Sequence, residues 1–124
     1  MLDVVKYYQP VVMGFDYLGG GEMKQPHISE KEITYSIRNL LKQFNIFHWK
    51  IHQGLGSTPG VPDIVGILKD GRFLGIEVKT ERGVLSPHQE RFLQNINDAG
   101  GIGFVARNLE DVIEKLNLKR GMLF

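Results

Sequence analysis

The stretch from residue 63 to residue 79 constrains the chain most tightly. Asp63 to Leu68 and Phe73 to Lys79 read as two strands, and Lys69-Asp70-Gly71 turns the chain between them. Side chains alternate along a strand, so Glu77 and Lys79 project from one face. Whether Asp63 joins them is a matter of register. Opposite residues of an antiparallel pair share a face, and their numbers sum to a constant. Asp63 lies opposite Glu77 only when Leu68 pairs with Arg72, which leaves a three-residue loop. Such loops commonly end in a glycine at positive φ, and Gly71 stands there. A two-residue Asp70-Gly71 loop would put the carboxylates on opposite faces unless a bulge intervened. The three-residue loop, with Asp63, Glu77 and Lys79 together, is the expectation.

The elements around this hairpin carry clear start and stop signals. Ser29-Glu30-Lys31-Glu32 fits a capping box, and Ile33, Ile37, Leu40, Leu41 and Phe44 follow at helical spacing. A helix therefore runs to about Phe44. Ile46 to His52 alternates, with Phe47, Trp49 and Ile51 on one face and His48, Lys50 and His52 on the other. That is the pattern of a half-buried strand, and it assigns Trp49 to the core with Phe47 and Ile51. Residues 53–61 are a glycine-rich loop, but no glycine-lysine-serine/threonine run makes it a phosphate-binding P-loop. Ser86-Pro87-His88-Gln89 opens a second helix, with Phe92, Leu93 and Ile96 as its apolar face and Gly100-Gly101 at its end. Ile102 to Ala106 is a short strand. Asn108 to about Leu116 is a last helix, with Leu109, Val112, Ile113 and Leu116 inward.

Residues 1–27 read as an N-terminal extension, a hairpin or an arm on a partner subunit. Val4, Val5, Val11, Val12, Phe15 and Tyr17 suit short strands, and Gly19-Gly20-Gly21 breaks them. The domain proper is residues 28–124. Its order of helix, three strands, helix, strand, helix makes an α/β sandwich around a mixed sheet. A chain of 124 residues suffices for one such core, and its 42% hydrophobic and 23% charged content are ordinary for a globular protein. No apolar run approaches the roughly 20 residues that span a bilayer, and no signal-peptide pattern opens the chain, so no membrane is expected. The absence of cysteine excludes disulfides and thiolate metal sites. The net charge of +1 does not by itself point to nucleic acid, so any phosphate-binding surface is a local patch.

Two carboxylates and a lysine on adjacent strands suit phosphodiester hydrolysis. That reaction needs a water made nucleophilic and a negative transition state stabilised. Hard Mg²⁺ or Mn²⁺ takes oxygen ligands from a few carboxylates and keeps several waters. Asp63 and Glu77 supply such oxygens, and the Val78 carbonyl adds another. Lys79 is placed to orient the attacking water or to offset charge on the phosphate.

Pro62-Asp63 followed by Glu77-Val78-Lys79 resembles the PD-(D/E)XK nuclease superfamily. More narrowly, Gly60-Val61-Pro62-Asp63-Ile64, Gly71-Arg72-Phe73-Leu74-Gly75-Ile76-Glu77-Val78-Lys79 and Gly83-Val84-Leu85-Ser86-Pro87-His88-Gln89 resemble the virus-type replication-repair nuclease (VRR-NUC) domain. The resemblance spans roughly residues 28–116. It implies a restriction-endonuclease-like αβββαβ core with a mixed central sheet flanked by helices. It implies Mg²⁺- or Mn²⁺-dependent, structure-selective cleavage of branched DNA, a Holliday junction or a flap, as in DNA repair. Stand-alone members of this size are typically phage- or prophage-encoded homodimers, which implies the cytoplasm of a bacterial host. The family also places a glutamate on the first helix and a glutamine on the helix after the Glu-x-Lys strand. Glu30 matches the first and is thereby implied as a further metal ligand, being three residues before Ile33 and so on the face that packs on the sheet, whereas Glu32 shares a polar face with Ser36, Asn39 and Gln43. Gln89 matches the second, there to hold the water or the lysine; it is equally the capping residue of its own helix, and the two duties conflict.

Lys50, His52, Arg82, His88 and Arg91 are candidates for a basic rim that contacts DNA phosphates. His48 and His52 straddle Lys50, but no third ligand makes them a metal pair. Two rival readings stand beside the nuclease. One is a non-catalytic nucleic-acid-binding module. The other is a related nuclease acting on RNA or linear duplex.

Overall fold

The structure is a computed structural model that describes residues 16–18, 22–24, 27–52, 54 and 57–119. Its elements in order are β1 (Asp16–Leu18), β2 (Glu22–Lys24), α1 (Glu30–Gln43), β3 (Phe47–Lys50), β4 (Ile64–Ile67), β5 (Phe73–Val78), α2 (Pro87–Asp98), β6 (Ile102–Ala106) and α3 (Leu109–Lys115). β1 and β2 form a short antiparallel hairpin of their own. The strands expected around Val4, Val5, Val11, Val12 and Phe15 lie outside the described residues.

The expected turn chemistry sets the central hairpin. Gly71 takes φ 91°, its N–H bonds the Leu68 carbonyl at 2.8 Å, and the Leu68 N–H bonds the Arg72 carbonyl at 2.9 Å. The loop is Lys69-Asp70-Gly71. Ile64 then pairs with Ile76 and Ile67 with Phe73, the register in which Asp63 stands opposite Glu77. β3 adds antiparallel to β4, and β6 adds parallel to β5, giving a mixed sheet in the order β3-β4-β5-β6.

Both long helices start at the capping boxes read from the sequence. Ser29 and Glu32 exchange side-chain and backbone bonds at the start of α1, and Ser86 and Gln89 do so at the start of α2. Asn45 at φ 56° turns the chain out of α1 towards β3, and Gly100 at φ 93° does the same after α2. α1 and α3 cover one face of the sheet. Ile33, Ile37, Leu40 and Leu41 of α1 and Val112 of α3 pack there with Ile64, Leu74, Ile76, Val78, Phe104 and Ala106. The other face, with Glu77 and Gly75, receives α2, but only over β5 and β6. A Cβ on Gly75 would lie 2.5 Å from Ile96 Cδ1, and Asn97 brackets Gly103 through its N–H and carbonyl at 2.9 Å each. The result is a mixed α/β sandwich flanked by helices, as expected.

That one-sided cover corrects the reading of β3. Phe47 is 64% exposed and Trp49 40% exposed, with their rings 5.4 Å apart. They sit in rows with Val65, Ile67 and Phe73 on the α2 side of the sheet, where no helix reaches the β3 edge. The core lies instead behind His48 and Lys50, which share a face with Gly66 and Ile64. Among the described residues, no helix is long and apolar enough to cross a membrane.

Candidate active site

The site forms where β4 begins and β5 ends. Asp63 directly precedes β4, and its carbonyl accepts the Ile51 N–H at 2.8 Å, which anchors it to the β3 side. Its Oδ2 accepts the Val78 N–H at 2.8 Å, so the carboxylate bridges the two strands of the hairpin. The Lys79 N–H turns the other way, to the Ala106 carbonyl at 3.1 Å. Because the N–H and carbonyl of one strand residue point to the same side, the Val78 carbonyl faces β4 and Asp63.

Glu77 is the buried centre, only 2% exposed. Its Oε1 accepts a hydrogen bond from Gln89 Nε2 at 3.0 Å, while its Oε2 is buried and has no partner. Burial, and then the neighbouring Asp63 carboxylate, push its pKa from the usual 4.5 up to about 8; Lys79 works against the shift and Glu30 adds to it. Without a cation, Glu77 therefore holds a proton near neutral pH. Glu30, Asp63, Lys79 and Gln89 all act on this one carboxylate.

Gln89 performs both duties that the sequence set in conflict. Its Oε1 accepts the Ser86 N–H at 2.9 Å to cap α2, and its Nε2 donates to Glu77. An amide carries an acceptor and a donor at opposite corners, so one side chain serves both. The donor reaches Glu77, rather than the lysine or the water that the resemblance implied. Glu30 departs from expectation as well. It is exposed in the first turn of α1, not packed on the sheet, and it reaches Glu77 through its charge. Among the described residues, no three His, Cys, Asp or Glu side chains close into a metal cage. The donor set is thus two carboxylates and a backbone carbonyl, which suits a hard cation that keeps most of its waters. The orphaned Glu77 oxygen is what such a cation would satisfy.

Two contacts support the site, and the first had no signal in the sequence pattern. Arg107 Nη1 donates to the carbonyls of Thr80 at 2.6 Å and Gly83 at 2.7 Å, pinning the turn that follows Lys79. The stem of Lys79 lies against Gly83. On the other side, Gly60 at φ 80° brings the loop before Pro62 onto the first turn of α2, where a Cβ would fall 2.3 Å from the His88 carbonyl. That contact ties Asp63 to the helix that carries Gln89.

The basic rim is only partly assembled. Arg82 is exposed on the turn after Lys79, and His88 and Arg91 are exposed at the start of α2. Lys50 is not on this face. Its partner is Ile64, so it points to the α1 side, and His52 lies beyond the end of β3.

A family model for the VRR-NUC domain matches residues 15–108. The chain belongs to the VRR-NUC family. The match takes in the β1–β2 hairpin, upstream of residue 28. A solved structure described as "VRR_NUC domain" is 24% identical with a TM-score of 0.60, covering 71% of this chain and 94% of its own. Another, "VRR_NUC domain protein", is 19% identical with a TM-score of 0.62, covering 78% of this chain and 92% of its own. No curated protein matches. Membership makes this VRR-NUC domain a nuclease of the PD-(D/E)XK type, within a family that normally uses divalent metals.

Proposed function

We propose that this VRR-NUC domain is a Mg²⁺- or Mn²⁺-dependent endodeoxyribonuclease that hydrolyses phosphodiesters in branched DNA, a Holliday junction or a flap. The carrying observation is Glu77 Oε2, buried and unpartnered beside Asp63 while Gln89 clamps the other oxygen. Asp63, Glu77 and the Val78 carbonyl would hold the cation, and Glu30 adds negative field from α1. The cation, when bound, supplies Lewis acidity and a water of lowered pKa. Lys79 orients that water or offsets charge on the phosphate. Gln89 keeps Glu77 in one rotamer, and Arg107 keeps the Lys79 turn in place. Arg82, His88 and Arg91 contact phosphates. Besides DNA, the partner is a second copy of the chain, and the setting is the cytoplasm of a bacterial cell carrying a phage or prophage.

A cleavage panel tests this: flap, splayed, Holliday-junction and linear duplex DNA, and RNA, each with Mg²⁺, Mn²⁺ or chelator. Cleavage confined to branched DNA and abolished by chelator is expected. Asp63→Ala, Glu77→Ala and Lys79→Ala should each abolish cleavage while folding and DNA binding persist. Metal-dependent activity surviving in Glu77→Ala would sink the mechanism. The rival reading is a module that binds nucleic acid without cutting it. Titration calorimetry separates the two, because a pure binding module takes up no Mn²⁺.

A further inference from the structure

The outer face of α1 carries a stripe that the catalytic site does not use. Lys31, Tyr35, Arg38 and Lys42 recur at helical spacing and fall within one narrow sector of the helix, turned away from Ile33, Ile37 and Leu40. Lys31 and Lys42 are exposed, and Tyr35 is 61% exposed. By the rise of an α-helix the stripe is about 16 Å long. It begins next to Glu30 in the first turn of α1, and the charge of Glu30 is felt at Glu77. Among the described residues, none of its three cations is in an ion pair. Arg38 Nε is covered yet has no acceptor. At the far end the charges of Arg38 and Lys42 crowd the His48 ring, whose pKa is held low by burial first and by those two cations as well. Three unpaired cations set side by side repel one another, and the arrangement is relieved by an anion.

We infer that this stripe is a phosphate-binding track for a DNA arm that leaves the active site along α1. The inference rests on the nuclease reading and adds to it a second contact surface, on the opposite layer of the sandwich from α2. Its length matches the axial rise of about five base-pair steps of a duplex. Lys31 and Lys42 act as point charges. Arg38 offers its guanidinium charge to a phosphate, and the Tyr35 hydroxyl donates between them. The contacts are to backbone, so they lengthen the footprint on any sequence.

The test is binding by fluorescence anisotropy in chelator, across a salt series, on flap DNA with an arm of about 15 base pairs and on the same DNA with that arm removed. The double variant Arg38→Ala/Lys42→Ala should bind the long-armed DNA on the order of tenfold more weakly, with a salt slope lower by about two. It should bind the armless DNA as the wild type does, and cleave saturating DNA at the same rate. Arg38→Lys/Lys42→Arg, which keeps the charge, should restore the slope. An unchanged slope and affinity in a folded double variant that still cleaves would overturn the track and leave the nuclease reading standing. A wild type that neither binds nor cleaves DNA would overturn both.

Discussion

At the scale of single residues, Glu77 is where the fold and the chemistry oppose each other. A carboxylate that is 2% exposed and faces Asp63 is a poor place for a second negative charge. Folding therefore raises its pKa from 4.5 to about 8. The direction of the stability effect follows. Below about pH 4.5 the group is protonated folded or unfolded, and its contribution is fully present. Between about pH 4.5 and pH 8 the unfolded chain ionises and the folded one does not, so stability falls as pH rises, and it levels off above pH 8. A bound cation reverses the preference by favouring the ionised form, so uptake of metal releases a proton and strengthens with pH. Thermal melts in chelator from pH 5 to pH 9 should show the decline in the wild type. Glu77→Gln, isosteric and unable to ionise, should remove most of it. Mg²⁺ or Mn²⁺ should raise the wild-type melting temperature more at pH 8 than at pH 6. Parallel curves for wild type and Glu77→Gln in chelator would show that Glu77 is not the group responsible.

At the scale of elements, the site depends on two strands and a helix start held in one register. Much of that was legible because the signals are local. Gly71 selects the three-residue loop, the loop sets the register, and the register puts Asp63 opposite Glu77. The hydroxyl and proline at Ser86-Pro87 open α2 where Gln89 reaches Glu77. What stayed illegible depends on contacts distant in sequence. Alternation in β3 separates Phe47 and Trp49 from His48 and Lys50, but cannot say which face a helix will cover. The long loop of residues 53–61 transmits no register from β3 to β4, so the face of Lys50 relative to Asp63 could not be read either. Arg107, 27 residues from the Thr80 carbonyl it holds, has no local marker at all. Gly60 tests whether the loop really locks the site. Alanine there meets a positive φ and a backbone oxygen at 2.3 Å. The expected loss is about 2–4 kcal/mol in urea unfolding, from the backbone conformation and overpacking together. Gly54, with nothing within 4 Å of an added Cβ, is the control, and Gly54→Ala should stay within about 0.5 kcal/mol of wild type. Equal stability of the two variants would mean that the Gly60 contact to α2 holds nothing in place.

At the scale of the whole molecule, the two faces of the sheet are unequally finished. α1 and α3 cover one face, while on the other no described helix covers the β3 edge, where Phe47, Trp49, Ile67 and Phe73 are exposed around the buried Val65. These four side chains lie in adjacent rows of one register and carry no charge between them. Such a surface is ill suited to a polyanion, whose affinity comes from cations, and well suited to an apolar partner. A second copy offers the same face, so a two-fold axis across it would bury the patch against itself. The pairing would turn both active sites toward the dimer seam, because Asp63 and Glu77 belong to that same sheet face. Sedimentation velocity at micromolar protein should therefore show a dimer. Phe47→Glu and Ile67→Glu, at exposed positions that the fold does not need, should give folded monomers. Trp49 is the chain's one tryptophan, so its emission reports directly on this face. Dilution of the wild type should shift the emission to the red as the indole meets water, whereas the glutamate variants should start red-shifted and stay there. A wild type that sediments as a monomer at every concentration, with an emission that dilution does not move, would leave the patch open to solvent and remove the second copy from the proposal.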